Sequence, residues 1–340
     1  MSRDLKLAFV GCGAIAEMHL MGIKESAPEI CITAAIDPVA ERAEAMATRT
    51  GATAYTSLAE GLAEGDFDAV DLMLPHHLHE QVALQSFAAG KHVLLEKPMA
   101  LTPDSCGRIL AGAQTAGTVF MVAENAQYWP EVVRAKELIE GDAIGEVITA
   151  RATVNAPLDR TSPFYAGARP WRFDKRVTGG GISLDVGSHW IRPLRMWLGE
   201  IDEAIAALDY PAAEMEGESL VRALFRFRSG TIATFDAGML PGTVFGPEVL
   251  FRITGTRGEI VIESHAGGRL ALYDSEHPKG VKEEARGYLH SYGPEFADFA
   301  SAVLHGTPLA AGPEEAIGEL RTALAMYRSA DSKRWEKVWA

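Results

Sequence analysis

Three short stretches of this chain hold residue types that can move a proton or cradle a charged ligand. Glu96-Lys97-Pro98 sets a cation beside an acid at the end of an apolar run, His92–Leu95, that reads as a strand. Ligands of open α/β sheets bind at the carboxyl ends of strands, so Lys97 and Glu96 are candidates to meet a cofactor, and Lys97 to touch substrate as well. Asp185 and His189 stand four apart, behind Gly179-Gly180-Gly181 and with Gly187 between them. Read as part of one helix over 182–198, the two share a face. A His exchanges a proton near neutral pH, and an Asp one turn away orients it or tunes its charge. Lys97, Asp185 and His189 are therefore the candidate catalytic set, suited to acid–base work on a hydroxyl.

The third stretch is Gly11-Cys12-Gly13-Ala14-Ile15-Ala16, a G-x-G-x-x-A turn between an apolar run and a helix-like segment. Gly11 permits the tight turn, and Gly13 lets backbone amides of the turn and of Ala14 and Ile15 approach a pyrophosphate. Ala16 allows close helix–strand packing. Asp37 follows about 20 positions after the motif, the distance at which an acid meets the ribose hydroxyls. A carboxylate there repels a 2′-phosphate and Pro38 offers it no N–H, so NAD is expected over NADP. Arg42, one turn further, is the residue that could reach a 2′-phosphate. Leu74, Pro75, His76 and His79, after the third strand, are expected to wall the cofactor pocket. His76, His77 and His79 also invite a metal reading. No Cys lies near and two adjacent His do not easily share an ion, so no metal is expected. Tyr128, Trp171 and Arg172 are further candidate substrate contacts, and Asn125 and Gln127, beside Tyr128, could reach cofactor or substrate. An aromatic face suits a sugar ring, and Arg bonds its hydroxyls.

The elements that must position these residues follow from patterning. Strands are expected at Leu5–Val10, Ile30–Ile36, Ala69–Leu74, His92–Leu95 and Thr118–Ala123. Helices are expected at Ala14–Ser26, Val39–Thr50, Leu78–Ala89 and Pro103–Ala116. That alternation implies a parallel, doubly wound Rossmann sheet. After one more helix, Pro130–Glu140, the pattern turns mostly to strands: 146–155, 201–210, 219–228, 231–236, 249–254, 259–263 and 269–273. Ser219–Arg228 alternates apolar and polar residues, as in an antiparallel sheet with two unlike faces. Two helices, 293–305 and 313–329, close the chain. The expected division is a dinucleotide-binding α/β domain over 1–127 and an α+β domain with a large, mainly antiparallel open sheet over 128–340.

Composition narrows the class. The 340 residues are 47% hydrophobic and carry a net charge of −14. The acidic balance speaks against nucleic acid or an anionic membrane as partner, because both call for a basic face. Three scattered Cys, with no CxxC, give no disulfide framework or zinc site. No run is apolar and long enough to span a bilayer. A cytoplasmic, reducing setting is expected.

Taken together, the G-x-G-x-x-A turn, Ala88-Ala89-Gly90-Lys91-His92-Val93-Leu94-Leu95-Glu96-Lys97-Pro98 and the Gly-rich run through Asp185, Gly187 and His189 resemble the glucose–fructose oxidoreductase / inositol dehydrogenase (Gfo/Idh/MocA) family. Pro75 and His79 fit its pattern too. The resemblance implies reversible oxidation of a sugar or cyclitol hydroxyl with a nicotinamide cofactor, and a homodimer or homotetramer formed through the C-terminal sheet. It assigns catalysis to Lys97, Asp185 and His189. One position departs from it: many members carry an acid where this chain has Arg192, which is either a substrate contact, turning specificity toward an acidic or more hydrogen-bond-accepting ligand, or a structural residue of the helix. Two other readings stay open at this stage. One is a hydrolase or isomerase that retains NAD and oxidises its substrate transiently; the other is a non-catalytic dinucleotide-binding regulator.

Overall fold

The computed structural model describes residues 4–166, 170–243, 248–264, 269–284 and 286–340. Residues 1–124 with 292–317 form one compact unit, and residues 125–291 with 318–340 form a second. The first begins as a strand–helix alternation: β1 (Leu5–Val10), α1 (Ala14–Ser26), β2 (Ile30–Ile36), α2 (Ala40–Thr50), β3 (Thr53–Tyr55), α3 (Leu58–Glu64), β4 (Ala69–Leu72), α4 (His79–Ala88), β5 (His92–Glu96), α5 (Pro103–Ala116) and β6 (Phe120–Ala123). The six strands form a parallel sheet in the order β3-β2-β1-β4-β5-β6. Order reverses between β1 and β4, which makes the end of β1 the switch point where such sheets bind ligands. β1, β4 and β5 are apolar runs because helices cover both their faces. α5 starts on a Thr102 cap followed by Pro103, and ends at Gly117 in the left-handed region.

The second unit runs through α6 (Pro130–Glu140), β7 (Val147–Pro157), the short α7 (Lys175–Thr178), α8 (Ser188–Leu198), β8 (Ile201–Asp209), β9 (Leu220–Phe227), β10 (Ile232–Leu240), β11 (Glu248–Gly255), β12 (Gly258–Ser264), β13 (Arg269–Asp274) and β14 (Val281–Glu284). The chain then forms α9 (Tyr292–His305), α10 (Ala316–Ser332) and β15 (Glu336–Lys337). The nine strands lie in the order β14-β13-β12-β11-β7-β10-β9-β8-β15, antiparallel except for the β7–β10 pair. On β9, Val221, Ala223, Phe225 and Phe227 are buried, while Arg222 and Leu224 lie on the open face. α6 and α8 are tied together by the Trp197 indole, which donates to the Val132 carbonyl at 3.1 Å.

Two departures from the sequence expectation have clear causes. The first unit is not contiguous, because α9 joins it from late in the chain. α9 packs so closely on α1 that a Cβ on Gly22 would sit 2.7 Å from the Tyr292 Cβ, and one on Gly293 would sit 2.5 Å from the Ser26 hydroxyl. The boundary expected at 127/128 therefore falls near 124, with 292–317 returned to the first unit. The helix expected over 182–198 begins only at Ser188, after an irregular turn over 182–187 in which the Gly187 amide donates to the Ile182 carbonyl at 2.7 Å. Asp185 therefore stands on a turn and His189 on a helix, and they do not share a helical face. β3, α3, β14 and β15 had no sequence reading; all but α3 are four residues or fewer, too short to show periodicity.

Candidate active site

One group of candidate residues is built on the end of β1. Gly11 has φ +96°, and a Cβ there would lie 2.2 Å from the Met73 carbonyl oxygen, so the crossing of β1 past β4 admits only glycine. A Cβ at Gly13 would meet nothing within 4 Å, which leaves room over the start of α1 for a ligand's phosphates. Ala14 and Ile15 are half-buried in the first turn, and Ala16 is buried against the sheet. Asp37 is buried at the end of β2. One carboxylate oxygen accepts from the Cys12 amide at 2.9 Å and the other from the Val39 amide at 2.8 Å. The acid thus fixes the glycine turn itself. Burial and the Asp37 charge push the Cys12 thiol up to about 12, so Cys12 stays an inert thiol. Arg42 is exposed on α2, and its charge reaches Cys12.

The wall after β4 is held from behind. His79 is fully buried, and its ring nitrogens lie 2.8 Å from the Pro98 carbonyl and 2.9 Å from the Leu74 carbonyl. Burial pushes His79 down, while its bonds to the Leu74 and Pro98 carbonyls act the other way. It ties the loop after β4 to the Glu96-Lys97-Pro98 turn and offers no free nitrogen to a cofactor or a metal, correcting its expected place among the cofactor contacts. His76 is buried with its ring edge-on to His79 at 5.6 Å. Leu74, Pro75, Glu96 and Lys97 are half-buried, where a ligand at the strand ends would meet them. Among the described residues, no group of three or more His, Cys, Asp and Glu is arranged to hold a metal ion.

A separate group of candidate residues lies in the second unit. Arg172 pairs with Asp185 at 3.4 Å and stacks its guanidinium on Trp171, 4.3 Å from the ring centre. A small cavity beside this pair is lined by Tyr165, Arg172, Phe173, Ile182, Asp185 and Met239. Burial, with Asp185 close by, pushes the Tyr165 phenol up, so it remains a hydrogen-bond donor. The half-buried His189 ring packs edge-on against Tyr288 at 5.7 Å. The Tyr288 hydroxyl donates to Asn125 Oδ1 at 3.0 Å, and Asn125 Nδ2 donates to Ser291 at 2.7 Å. Asn125 is thus spent on the scaffold of the His189 face. Tyr128 is half-buried in the short helical turn 125–128.

The turn that carries Asp185 is gripped by Glu218, an acid with no sequence signal. Buried Glu218 accepts from the Gly181 and Ser183 amides, both at 2.9 Å, and from the Tyr327 hydroxyl at 3.1 Å. A Cβ on Gly181 would fall 1.9 Å from the Glu218 carbonyl oxygen, and one on Gly180 would fall 1.9 Å from the Tyr327 hydroxyl. The glycine run is therefore glycine for packing against its own scaffold, rather than to admit a ligand. Arg192 also differs from expectation. It is buried, and its guanidinium is bonded to Glu319 at 3.0 Å, in a network where Arg195 holds Glu319 and Glu200. It is a scaffold residue, and the acidic ligand expected from it loses its support.

Residues 5–124 match the family description "Oxidoreductase family, NAD-binding Rossmann fold", and residues 132–261 match the Gfo/Idh/MocA C-terminal domain. The 1,5-anhydro-D-fructose reductase of Ensifer adhaerens is 30% identical over 94% of this chain and 95% of its own. The chain belongs to the Gfo/Idh/MocA oxidoreductase family. The Thermotoga maritima myo-inositol 2-dehydrogenase is a further relative, 23% identical over 98% of both chains. A Thermotoga maritima oxidoreductase of known structure superposes with a TM-score of 0.86 at 28% identity, covering 99% of each chain. As a Gfo/Idh/MocA member the protein is an NAD(P)-dependent oxidoreductase, with its NAD-binding Rossmann fold over residues 5–124. No helix among the described residues is long and apolar enough to cross a membrane.

Proposed function

We propose that this protein is an NAD-dependent dehydrogenase that reversibly oxidises a secondary hydroxyl of a sugar, sugar derivative or cyclitol. What carries the reading is a complete proton-handling set, Lys97, Asp185 and His189, in a chain of this oxidoreductase family. NAD, when bound, accepts the hydride from the carbinol carbon. His189 takes the hydroxyl proton, Asp185 tunes it, and Lys97 holds the substrate oxygen; the ammonium of Lys97 stabilises negative charge developing there. Trp171 offers its face to the ring, and Arg172, already turned toward Asp185, bonds neighbouring hydroxyls. Tyr128 completes the substrate wall. General-base assistance by His189 accounts for about 10²–10⁴-fold of the rate.

Asp37 supports NAD over NADP, since a buried carboxylate repels a 2′-phosphate. Gly11, Gly13, Ala14, Ile15, Leu74, Pro75, His76 and Glu96 complete the cofactor contacts. Arg42 is the one cation near enough in sequence to favour NADP. Leu224 and Ile232 are exposed on the open face of the large sheet, among the ion pairs Arg222–Asp236 and Arg226–Glu203. That mixed face suits a second copy of the chain, giving a homodimer or homotetramer, with the protein at work in the cytoplasm.

The test is a screen of inositols, aldoses, sugar acids and sugar phosphates with NAD and NADP, read as reduced-cofactor absorbance, followed by single turnover of Lys97→Met and His189→Asn. Both variants are expected to bind NADH normally and to form almost none. Normal turnover in both overturns the scheme. Tight NAD with product but no net NADH replaces it with transient oxidation.

A further inference from the structure

His19 on α1 is fully buried between two acids. Its Nδ1 lies 2.7 Å from Asp71 Oδ2 on β4, and its Nε2 lies 3.1 Å from Glu96 Oε1 at the end of β5. A neutral imidazole has one donor and one acceptor, so with both acids ionised only the imidazolium satisfies both contacts; burial pushes Asp71 up, and the His19 charge opposes that. α9 closes the cluster. The rings of Tyr292 and Phe296 pack at 5.7 and 5.1 Å from the His19 ring. Glu295, between them in sequence, is fully buried, and neither of its carboxyl oxygens has a hydrogen-bond partner. Burial, reinforced by Glu96, Glu124 and Asp71, pushes Glu295 well up and keeps it a neutral acid. Burial alone would push His19 down, but Asp71 and Glu96 outweigh it and hold the ring as a cation.

A buried ionic cluster is a poor stabiliser compared with apolar packing of the same volume. What it supplies is geometry. Glu96 is the last residue of β5 and immediately precedes Lys97 in the chain. Gripping Glu96 on the α1 and α9 side therefore sets the backbone that carries Lys97. We propose that His19 is a positioning residue for Lys97: by bridging Asp71 and Glu96 it locks the Glu96 side chain, and with it the start of the Lys97 turn, in the orientation hydride transfer needs. The inference rests on the role given to Lys97 above.

The experiment uses the full-length enzyme with its best substrate and measures kcat, KM, NADH affinity by fluorescence and the pH profile of kcat. His19→Gln keeps one donor group and loses the charge. We expect its kcat to fall about 10- to 100-fold, with NADH affinity and KM changed less than about threefold, as for a misplaced catalytic group. Asp71→Asn keeps the bridge but removes one of the carboxylates that hold the proton on His19. Its alkaline limb is expected to move to lower pH, because His19 then loses its proton sooner. A role in folding alone would lower stability and leave that limb in place. A kcat for His19→Gln within about threefold of the parent, or an unmoved alkaline limb in Asp71→Asn, overturns the proposal. Should His19→Gln fail to fold, the Asp71→Asn profile decides. If Lys97→Met is fully active, the role of Lys97 falls instead, and the two failures remain distinct.

Discussion

Each unit of the molecule draws acids in from solvent beside its own candidate residues, and the two units settle those acids by opposite means. In the second unit Glu218 is met by two backbone amides and a phenol, all of them donors whose state does not change near neutral pH. In the first unit Glu96 and Asp71 are met by an imidazole, and Glu295 is met by nothing and carries its own proton. The Glu218 arrangement is fixed by chain geometry. The His19 arrangement depends on proton occupancy. The difference teaches that the Asp185 turn is held by a permanent clamp, while the Lys97 turn is held by one that loosens as protons leave.

The largest effect expected from breaking this contrast is at Glu218. Glu218→Ala strands two buried amides and a phenol, and the loss is expected to be about 3 kcal/mol or more, read as a drop in the denaturant midpoint. Activity with every substrate should fall with it, while the first unit keeps its NADH affinity. A stability change under about 1 kcal/mol would show that the clamp contributes little.

Next comes another buried acid of the second unit, Glu319, met by guanidinium groups. Arg192→Met leaves it to Arg195 alone. About 1–3 kcal/mol of stability should be lost, with KM unchanged within about twofold. A large rise in KM instead would return Arg192 to the substrate wall.

The third prediction concerns pH. Glu295 has its folded-state value raised, so relative to the unfolded chain its contribution is fully present below the ordinary carboxyl range and is lost as pH rises. The loss accrues at up to about 1.4 kcal/mol per pH unit until Glu295 ionises. His19 is also raised; its contribution is present below the usual imidazole range and fades as pH climbs through its folded value. Glu295→Gln should therefore gain stability relative to the parent between pH 5 and pH 8, measured by chemical denaturation at both. A parallel pH dependence in the two proteins would mean that Glu295 is ionised in the fold.

The smallest effect is expected at Tyr327→Phe, which removes one of the three bonds to Glu218. About 1 kcal/mol of stability should go, with a modest fall in kcat and no change in its pH profile. A shifted profile would erase the contrast between the two clamps.

Much of this was legible in the chain. β1, α1, β2, α5 and α6 lie where patterning and capping put them, because Gly11, Thr102-Pro103, Gly117 and Pro130 mark their ends by local sterics alone. The glycine turn, Asp37 and Lys97 were readable for the same reason: a nucleotide turn is a local device whose residues lie close along the chain. His79 and Arg192 were read as ligand contacts because their partners are remote carbonyls and a remote acid. The shared helical face read for Asp185 and His189 is absent, since Gly187 and the Ile182 carbonyl divert the backbone before the helix starts.

By itself the sequence determined the glycine turn after β1, the doubly wound sheet and the family, since each rests on local spacing. Only the tertiary structure decided that α9 belongs with the first unit, and that Glu218, His19 and Glu295 stand behind the site. Those depend on side chains far apart in the chain meeting in a buried space. Burial, which no local pattern encodes, is what makes a proton or a backbone amide the deciding partner of an acid.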